Sequence, residues 1–292
     1  MGARLRRIGI LGHTTRPAVR RAATRLATQL TRSGRQVRIA QDLAREMDRP
    51  GEPIDAVARW CQALITLGGD GTALKGARAM AGKKGALLAV NLGGLGFLTV
   101  AEDNELGTAI NEALAGNWPV VKRRLVAAVV RRHGGIIGLG RAMNDAVIKS
   151  AGGYSALHLR ITALGHDLGH LVADGLIGAT ASGSTAYSLS AGGPVLAPDV
   201  EAFVLTPVCP HTLGSRPLVL PPGAVVHVRL LGAFDHAILL FDGQDSVSLE
   251  TGDEIELGLS RTAVRMFENP ARPFGRTLQA KLGWQGTERR SL

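Results

Sequence analysis

Aromatic side chains are scarce in this 292-residue chain, at 4% of residues, and cysteine occurs only twice. The first shortage leaves few platforms on which unpaired bases could stack, which argues against single-stranded nucleic acid as the partner. The second excludes a disulfide framework. Cys61 and Cys209 show neither the even spacing of a small secreted scaffold nor the spacing of zinc ligands, and a reducing compartment is the expected setting. No apolar run approaches ~18 residues, so no membrane-spanning helix is expected. Met1 leads into Arg4-Leu5-Arg6-Arg7 without the apolar stretch of a signal peptide, and a cytoplasmic location is expected. Acidic residues are outnumbered 24 to 34 by basic ones, for a formal charge of +10. Long basic blocks are missing, so the excess suits an anionic small molecule as well as it suits nucleic acid. Neither nucleic acid nor a membrane is expected as a partner. At this length the chain can bury a real core and form two domains.

The stretch Leu67-Gly68-Gly69-Asp70-Gly71-Thr72 carries the most chemistry. It follows the apolar run Ala63 to Leu67 and precedes a helix-like run from Ala73 to Met80. Strand, glycine turn and helix in that order present backbone N–H groups and a helix N-terminus at the strand's carboxyl end, where phosphates bind. Gly68, Gly69, Gly71 and Thr72 are therefore candidate phosphate-binding residues. Asp70 is an anion inside that cradle and a poor phosphate ligand. Two roles suit it: general base toward a hydroxyl, or indirect partner of a metal ion. The plain alternative is an Asp-Gly turn.

The rest of the first part alternates strand and helix. Ile8 to Leu11 reads as a buried strand, and Pro17 opens a helix running to about Arg32. Along that helix Val19, Ala22, Ala23, Leu26, Ala27 and Leu30 keep a 3.6-residue period. Val37 to Ala40 and Ala86 to Val90 read as further strands, the last ending in a second glycine-rich loop from Asn91 to Leu98. This pattern predicts an α/β domain with a doubly wound, mostly parallel sheet over residues 1–121, with its ligand at the strands' carboxyl ends. Short strands dominate beyond Pro119. Leu157, Leu159 and Ile161 alternate with His158, Arg160 and Thr162, and Val225 to Leu231, Ile238 to Phe241 and Ile255 to Leu259 continue the pattern. A β-rich domain is expected over residues 122–264, followed by a C-terminal segment, 265–292, that turns helix-like at about Thr277 to Trp284 and packs back on the first domain.

Three segments of the β-rich part stand out. Met143 to Val147 places the amide of Asn144 and the carboxylate of Asp145 together at a strand edge. Asp174 leads into Gly183 to Pro194, a hydroxyl-dense run ahead of a short helix. The third is Phe241-Asp242-Gly243-Gln244. Adjacent donors and acceptors of this kind can read a ribose diol, a carboxamide or an adenine edge. His13, His158 and His211 read as surface or loop histidines, and no protein metal site is expected.

Taken together, these segments resemble the NAD kinase family. The residues that carry the resemblance are Gly68 to Thr72, the Asn91–Leu98 loop, Asn144-Asp145, the long run from Asp174 to Pro194, Thr206-Pro207, Pro210 to Leu213, Arg216 to Leu218 and Lys281 to Trp284. The resemblance implies transfer of the γ-phosphoryl group of ATP to the 2′-hydroxyl of NAD's adenosine ribose. It implies Asp70 as the base. It implies NAD contacts from Gly71, Lys75, Asn144, Asp145, Asp174, Gln244 and the turn holding Thr185, Ala186, Tyr187, Ser188 and Ser190. It also implies Mg²⁺ or another divalent cation carried with the nucleotide, and a homodimer or homotetramer. Polyphosphate stands beside ATP as a donor that the residues do not decide. Three positions depart from the family pattern: Val172 and Ser155, where basic side chains are common, and Thr180-Ala181-Ser182. The glycine-aspartate turn alone is shared with lipid and sphingoid-base kinases, the alternative function.

Overall fold

The computed structural model describes residues 5–94, 96–152, 156–212, 214–233 and 236–283. The chain divides into two compact units, one formed by Met1–Lys122 with Val264–Leu292 and the other by Arg123–Ala263.

The first unit alternates strands and helices: β1 (Arg7–Gly12), α1 (Pro17–Arg32), β2 (Gln36–Ile39), α2 (Gln41–Glu46), α3 (Ile54–Trp60), β3 (Ala63–Leu67), α4 (Asp70–Met80), β4 (Ala86–Asn91), β5 (Ala101–Glu102) and α5 (Leu106–Ala115). The strands run β2-β1-β3-β4 with every pairing parallel, and β5 adds to β4, also in parallel. Buried on both faces, β3 and β4 show no alternation, as expected for a parallel sheet covered by helices. Ile8, Ile10, Ile65, Leu88 and Val90 face α1 and α5. The opposite face meets α3 and α4 closely: a side-chain carbon at Gly9 would lie 2.6 Å from Val57, and one at Gly76 2.5 Å from Thr66. The helical stripe expected on α1 is its buried face, residue for residue. Helices α2, α3 and α5 were not expected from the sequence.

The second unit is β-rich: β6 (Val120–Arg132), β7 (Gly135–Ala142), β8 (Asp145–Ser150), β9 (Leu157–Ala163), β10 (His166–Ala173), β11 (Gly175–Thr180), a 3₁₀ turn at Ser182–Thr185, α6 (Tyr187–Ser190), β12 (Phe203–Val208), β13 (Leu218–Leu220), β14 (Val225–Ala233), β15 (Ala237–Phe241), β16 (Asp245–Leu249) and the start of β17 (Glu254–Phe267). One layer runs β10-β9-β14-β17 and the other β13-β12-β11-β8-β15-β16, with antiparallel pairings throughout. Leu157, Leu159, Val226 and Val228 of the first layer pack on Ile148, Leu176, Phe203 and Leu239 of the second. The outer face of the second layer is covered too. Val147, Ile177, Ala179 and Val204 lie under Ala191 and Leu196, so β11 is buried along its whole length.

Beyond the second unit, the end of β17 pairs in parallel with β4 through Arg265 and Met266, inside the first unit. It is followed by α7 (Phe274–Leu282). Arg272 bridges Glu102 and Glu105, the latter at 2.8 Å. No helix among the described residues is long and apolar enough to cross a membrane.

Candidate active site

In the first unit the chain leaves β3 at Leu67, turns through Gly68 and Gly69, and enters α4 with Asp70 as its first helical residue. The turn is tied to β4 by the Gly68 N–H, which donates to the Val90 carbonyl at 3.0 Å. A side chain at Gly68 would bring a carbon within 2.4 Å of the buried Thr72 hydroxyl, so the turn closes only around glycine. Carbons added at Gly69 or Gly71 would meet nothing within 4 Å. These two glycines form the open rim of the turn, where a phosphate can approach backbone N–H groups. Thr72, by contrast, is turned inward.

Asp70 is held from the second glycine-rich loop. Its Oδ2 accepts from the Phe97 N–H at 3.0 Å and its Oδ1 from the Leu98 N–H at 3.2 Å. Gly96 lies against the same carboxylate, where an added carbon would sit 2.0 Å from Oδ1. The loop is shaped by its own side chains. Asn91 Oδ1 accepts from the Gly93 N–H at 3.0 Å, Asn91 Nδ2 donates to the Gly94 carbonyl, and Thr99 Oγ1 accepts from the Gly96 N–H at 3.0 Å. The two glycine loops thus meet at one half-buried carboxylate at the carboxyl end of the sheet. Lys75, just over a turn further along α4, is paired with Asp42 of α2 at 2.9 Å, and that ammonium holds the Asp42 carboxyl below its ordinary value.

The second unit assembles a different cluster. β8 is an inner strand, flanked by β11 and β15, so Asp145 opens an interior strand and Asn144 stands just before it. The Asp242 carboxylate accepts from the Met143 N–H at 2.9 Å and from the Asn144 N–H at 2.8 Å. Thr180 closes the other side, its N–H donating to the Asn144 carbonyl and its hydroxyl to the Met143 carbonyl at 2.7 Å. Gly183 presses on the same peptide: an added carbon would lie 1.9 Å from the Asn144 carbonyl oxygen. Asn144 Oδ1 is buried and has no hydrogen-bond partner among the described residues. Asp145 is buried, and its carboxyl is pushed up to about 7, chiefly by that burial and then by the charge of Asp242; the Tyr187 N–H, which donates to it, works the other way.

Among the expected hydroxyl contacts, the structure separates two kinds. Ser188 is fully buried and hydrogen-bonds the Thr206 hydroxyl at 2.8 Å, pinning α6 to β12, and so it is not presented to a ligand. Thr185, Ala186, Tyr187 and Ser190 are half-buried or exposed. Asp174 stands exposed in the turn between β10 and β11, its N–H donating to the Val208 carbonyl at 3.0 Å. The Cys209 thiol hydrogen-bonds the Asp174 carboxylate, whose charge pushes the thiol up. Gln244 is exposed in the turn after β15. Ser155, Leu95, Leu213 and Trp284 lie outside the described residues. Asn91, Gly96 and Asp242 were not singled out beforehand as site residues. The first two were visible only as loop residues, and the third only as a neighbour of Gln244.

Family models of the ATP-NAD kinase N-terminal and C-terminal domains match residues 8–118 and 143–268. The chain is 35% identical to the NAD kinase of Geobacter metallireducens over 280 residues, covering 96% of this chain and 99% of that protein. The chain belongs to the ATP-NAD kinase family. It is also 35% identical to NAD kinase 2 of Streptomyces coelicolor, over 97% of this chain and 98% of that one. The crystal structure of yeast NADH kinase complexed with NADH superposes with a TM-score of 0.89 at 28% identity, covering 99% of this chain and 91% of that one. An NAD kinase from Archaeoglobus fulgidus in complex with ATP shares the fold, with a TM-score of 0.76 at 24% identity. Matches of this length to NAD kinases set aside the lipid or sphingoid-base kinase alternative, which rested on the glycine-aspartate turn alone.

Proposed function

We propose that the chain is an NAD kinase that transfers the γ-phosphoryl group of ATP to the 2′-hydroxyl of NAD's adenosine ribose, giving NADP, with Asp70 as the general base. The observation that carries this reading is the Asp70 carboxylate, fixed at the head of α4 by two backbone N–H groups of the second glycine loop. A ribose hydroxyl is a weak nucleophile. Its proton passes to Asp70 as the oxygen bonds to the γ-phosphorus, the bond to the β-phosphate oxygen breaks, and ADP leaves. Gly69 and Gly71 present the backbone rim for the phosphates.

NAD contacts are assigned to Gly71, Lys75, Asn144, Asp145, Asp174, Gln244 and the exposed part of the 185–190 turn. The partnerless Asn144 Oδ1 supports this assignment. A buried acceptor left unsatisfied costs about 1–3 kcal/mol, and a ligand hydroxyl or amide would relieve it. Asp145 beside it supplies acceptors for a ribose diol.

Among the described residues no three His, Cys, Asp or Glu side chains form a cation cluster. A divalent cation is assigned to the nucleotide's phosphates, where it would neutralise developing charge. The backbone rim reads phosphate charge and spacing rather than adenine, so inorganic polyphosphate is assigned as a second donor. The working state is taken as a cytoplasmic homodimer or homotetramer.

The test is formation of NADP from NAD, or of NADPH from NADH, by the purified protein with ATP or polyphosphate, with and without Mg²⁺. NADP from NAD and ATP is expected. Its absence at all Mg²⁺ concentrations would overturn the reading, and strict inactivity with polyphosphate would show that the adenosine of ATP is required.

A further inference from the structure

We propose that Asp242 is a positioning residue for dinucleotide recognition, clasping the backbone of Met143, Asn144 and Asp145 so that the Asn144 and Asp145 side chains project in one fixed arrangement. The inference rests on the assignment of Asn144 and Asp145 to the NAD site.

The geometry is unusual for a turn residue. Three consecutive N–H groups point at one carboxylate, from Met143 at 2.9 Å, Asn144 at 2.8 Å and Asp145 at 3.3 Å. The Asp242 N–H returns the contact by donating to the Asp145 carbonyl at 3.0 Å. Asp242 makes this clasp in the left-handed region, at φ 50°, which aspartate tolerates better than most side chains, and Gly243 follows at φ 64°. An ordinary reversal between β15 and β16 needs no such reach, because Asp242 and the residues it binds are about a hundred positions apart in sequence. The clasp also sets one carboxylate beside another. Against Asp145, β11 presents Ala179, α6 the Tyr187 N–H, and the β15–β16 turn the Asp242 carboxylate. Asp242 therefore fixes where Asp145 points, and by like charge it opposes Asp145's ionisation. An ionised carboxylate accepts hydroxyl hydrogen bonds more strongly than a neutral acid.

The test is steady-state kinetics of Asp242→Asn across pH 5.5–8.5, since one oxygen of the clasp then becomes an amide that faces N–H donors. NAD KM should rise by about tenfold or more, while kcat and ATP KM stay within about threefold. The pH dependence of NAD KM, which in the unmodified enzyme should improve as pH rises through about 7, should move to lower pH. A residue that merely stabilises the fold would leave that profile in place. A folded Asp242→Asn enzyme with NAD KM and profile both unchanged overturns the inference. Should the variant not fold, hydrogen exchange of the unmodified protein decides: the amides of Asn144 and Asp145 should exchange at least about tenfold more slowly with NAD bound, and unchanged exchange overturns the inference. An unmodified protein that makes no NADP fails the functional reading; one that makes NADP while Asp242→Asn behaves identically fails only this inference.

Discussion

Gly96→Ala is a perturbation whose consequence can be worked from distances. The added carbon would lie 2.0 Å from Asp70 Oδ1, 2.6 Å from its Cγ and 2.8 Å from Oδ2. Carbon and oxygen need roughly 3.4 Å between non-bonded centres, so the carboxylate or the loop must retreat by more than about 1 Å. Either movement strains the bonds from Phe97 and Leu98 that hold Asp70 in place. A misplacement of about 1 Å in a reacting group costs on the order of 10²-fold in rate, about 2.7 kcal/mol of barrier. The ceiling is the whole contribution of a general base, about 10²–10⁴-fold. The assay is NADP formation at saturating NAD and ATP, coupled to an NADP-specific dehydrogenase. The control is Gly94→Ala, two residues away in the same loop, where an added carbon meets nothing within 4 Å; its kcat should stay within about threefold. Because Gly96→Ala acts through Asp70, adding it to Asp70→Asn should cause little further loss. A Gly96→Ala enzyme with kcat within about threefold of the unmodified one would refute the reasoning, as would full additivity in the double variant.

Three further outcomes are expected. The Asp145 carboxyl sits at about 7 in the folded protein, against about 3.9 when unfolded, so between those values the folded state binds the proton more tightly and stability of the ligand-free protein falls as pH rises. Asp145→Asn should flatten that fall and gain stability at pH 8, by a few kcal/mol in urea unfolding; an unchanged pH slope would contradict the shift. Arg132 makes a two-pronged bond to Asp253, at 2.8 and 2.9 Å, and that carboxylate is fully buried, whereas the Arg160–Asp167 pair is open to solvent. Arg132→Met should therefore lower Tm more than Arg160→Met, because it strands a buried charge; equal losses would show that Asp253 finds other solvation. Asp174→Ala should weaken NAD binding more than ATP binding in calorimetric titrations, and equal losses would remove Asp174 from the NAD end.

The legibility of the fold in the sequence depended on element length and burial. β3 and β4 are runs of apolar residues buried on both faces, and α1 is long enough to show its stripe, so both were readable. α2 and α3, at 6 and 7 residues, are too short to establish a period. α5 is different: Leu106, Ala109, Ile110, Ala113 and Leu114 carry the full helical spacing up to a left-handed Gly116, and the signal was there to be used. β11 was hidden for a physical reason. Gly-Leu-Ile-Gly-Ala-Thr has little intrinsic preference for a strand, but pairing on both sides and the close approach of Phe203 to Gly178 decide the matter. The same division applies to the site. Asp70 was legible because strand, turn and helix are contiguous around it. Asp242 was not, because its partners are distant in sequence. Ser188 and the exposed Ser190 look alike in a hydroxyl-rich run, and only tertiary packing sends the first inward to Thr206.

The central claim, that Asp70 accepts the ribose proton, is tested most directly by kcat for NADP formation in Asp70→Asn. Asparagine preserves the size of the side chain and one acceptor for the Phe97 or Leu98 N–H, but it cannot take a proton at neutral pH. A fall of about 10²–10⁴-fold is expected, with NAD affinity changed by less than roughly tenfold, about 1.4 kcal/mol. Raising Mg²⁺ or replacing it with Mn²⁺ should not restore the rate; partial recovery would instead assign Asp70 to organising the cation. A kcat within about threefold of the unmodified enzyme would contradict the account, since an Asn-Gly turn serves the backbone as well as Asp-Gly while the proton acceptor and one of the two acceptors for the loop N–H groups have been removed.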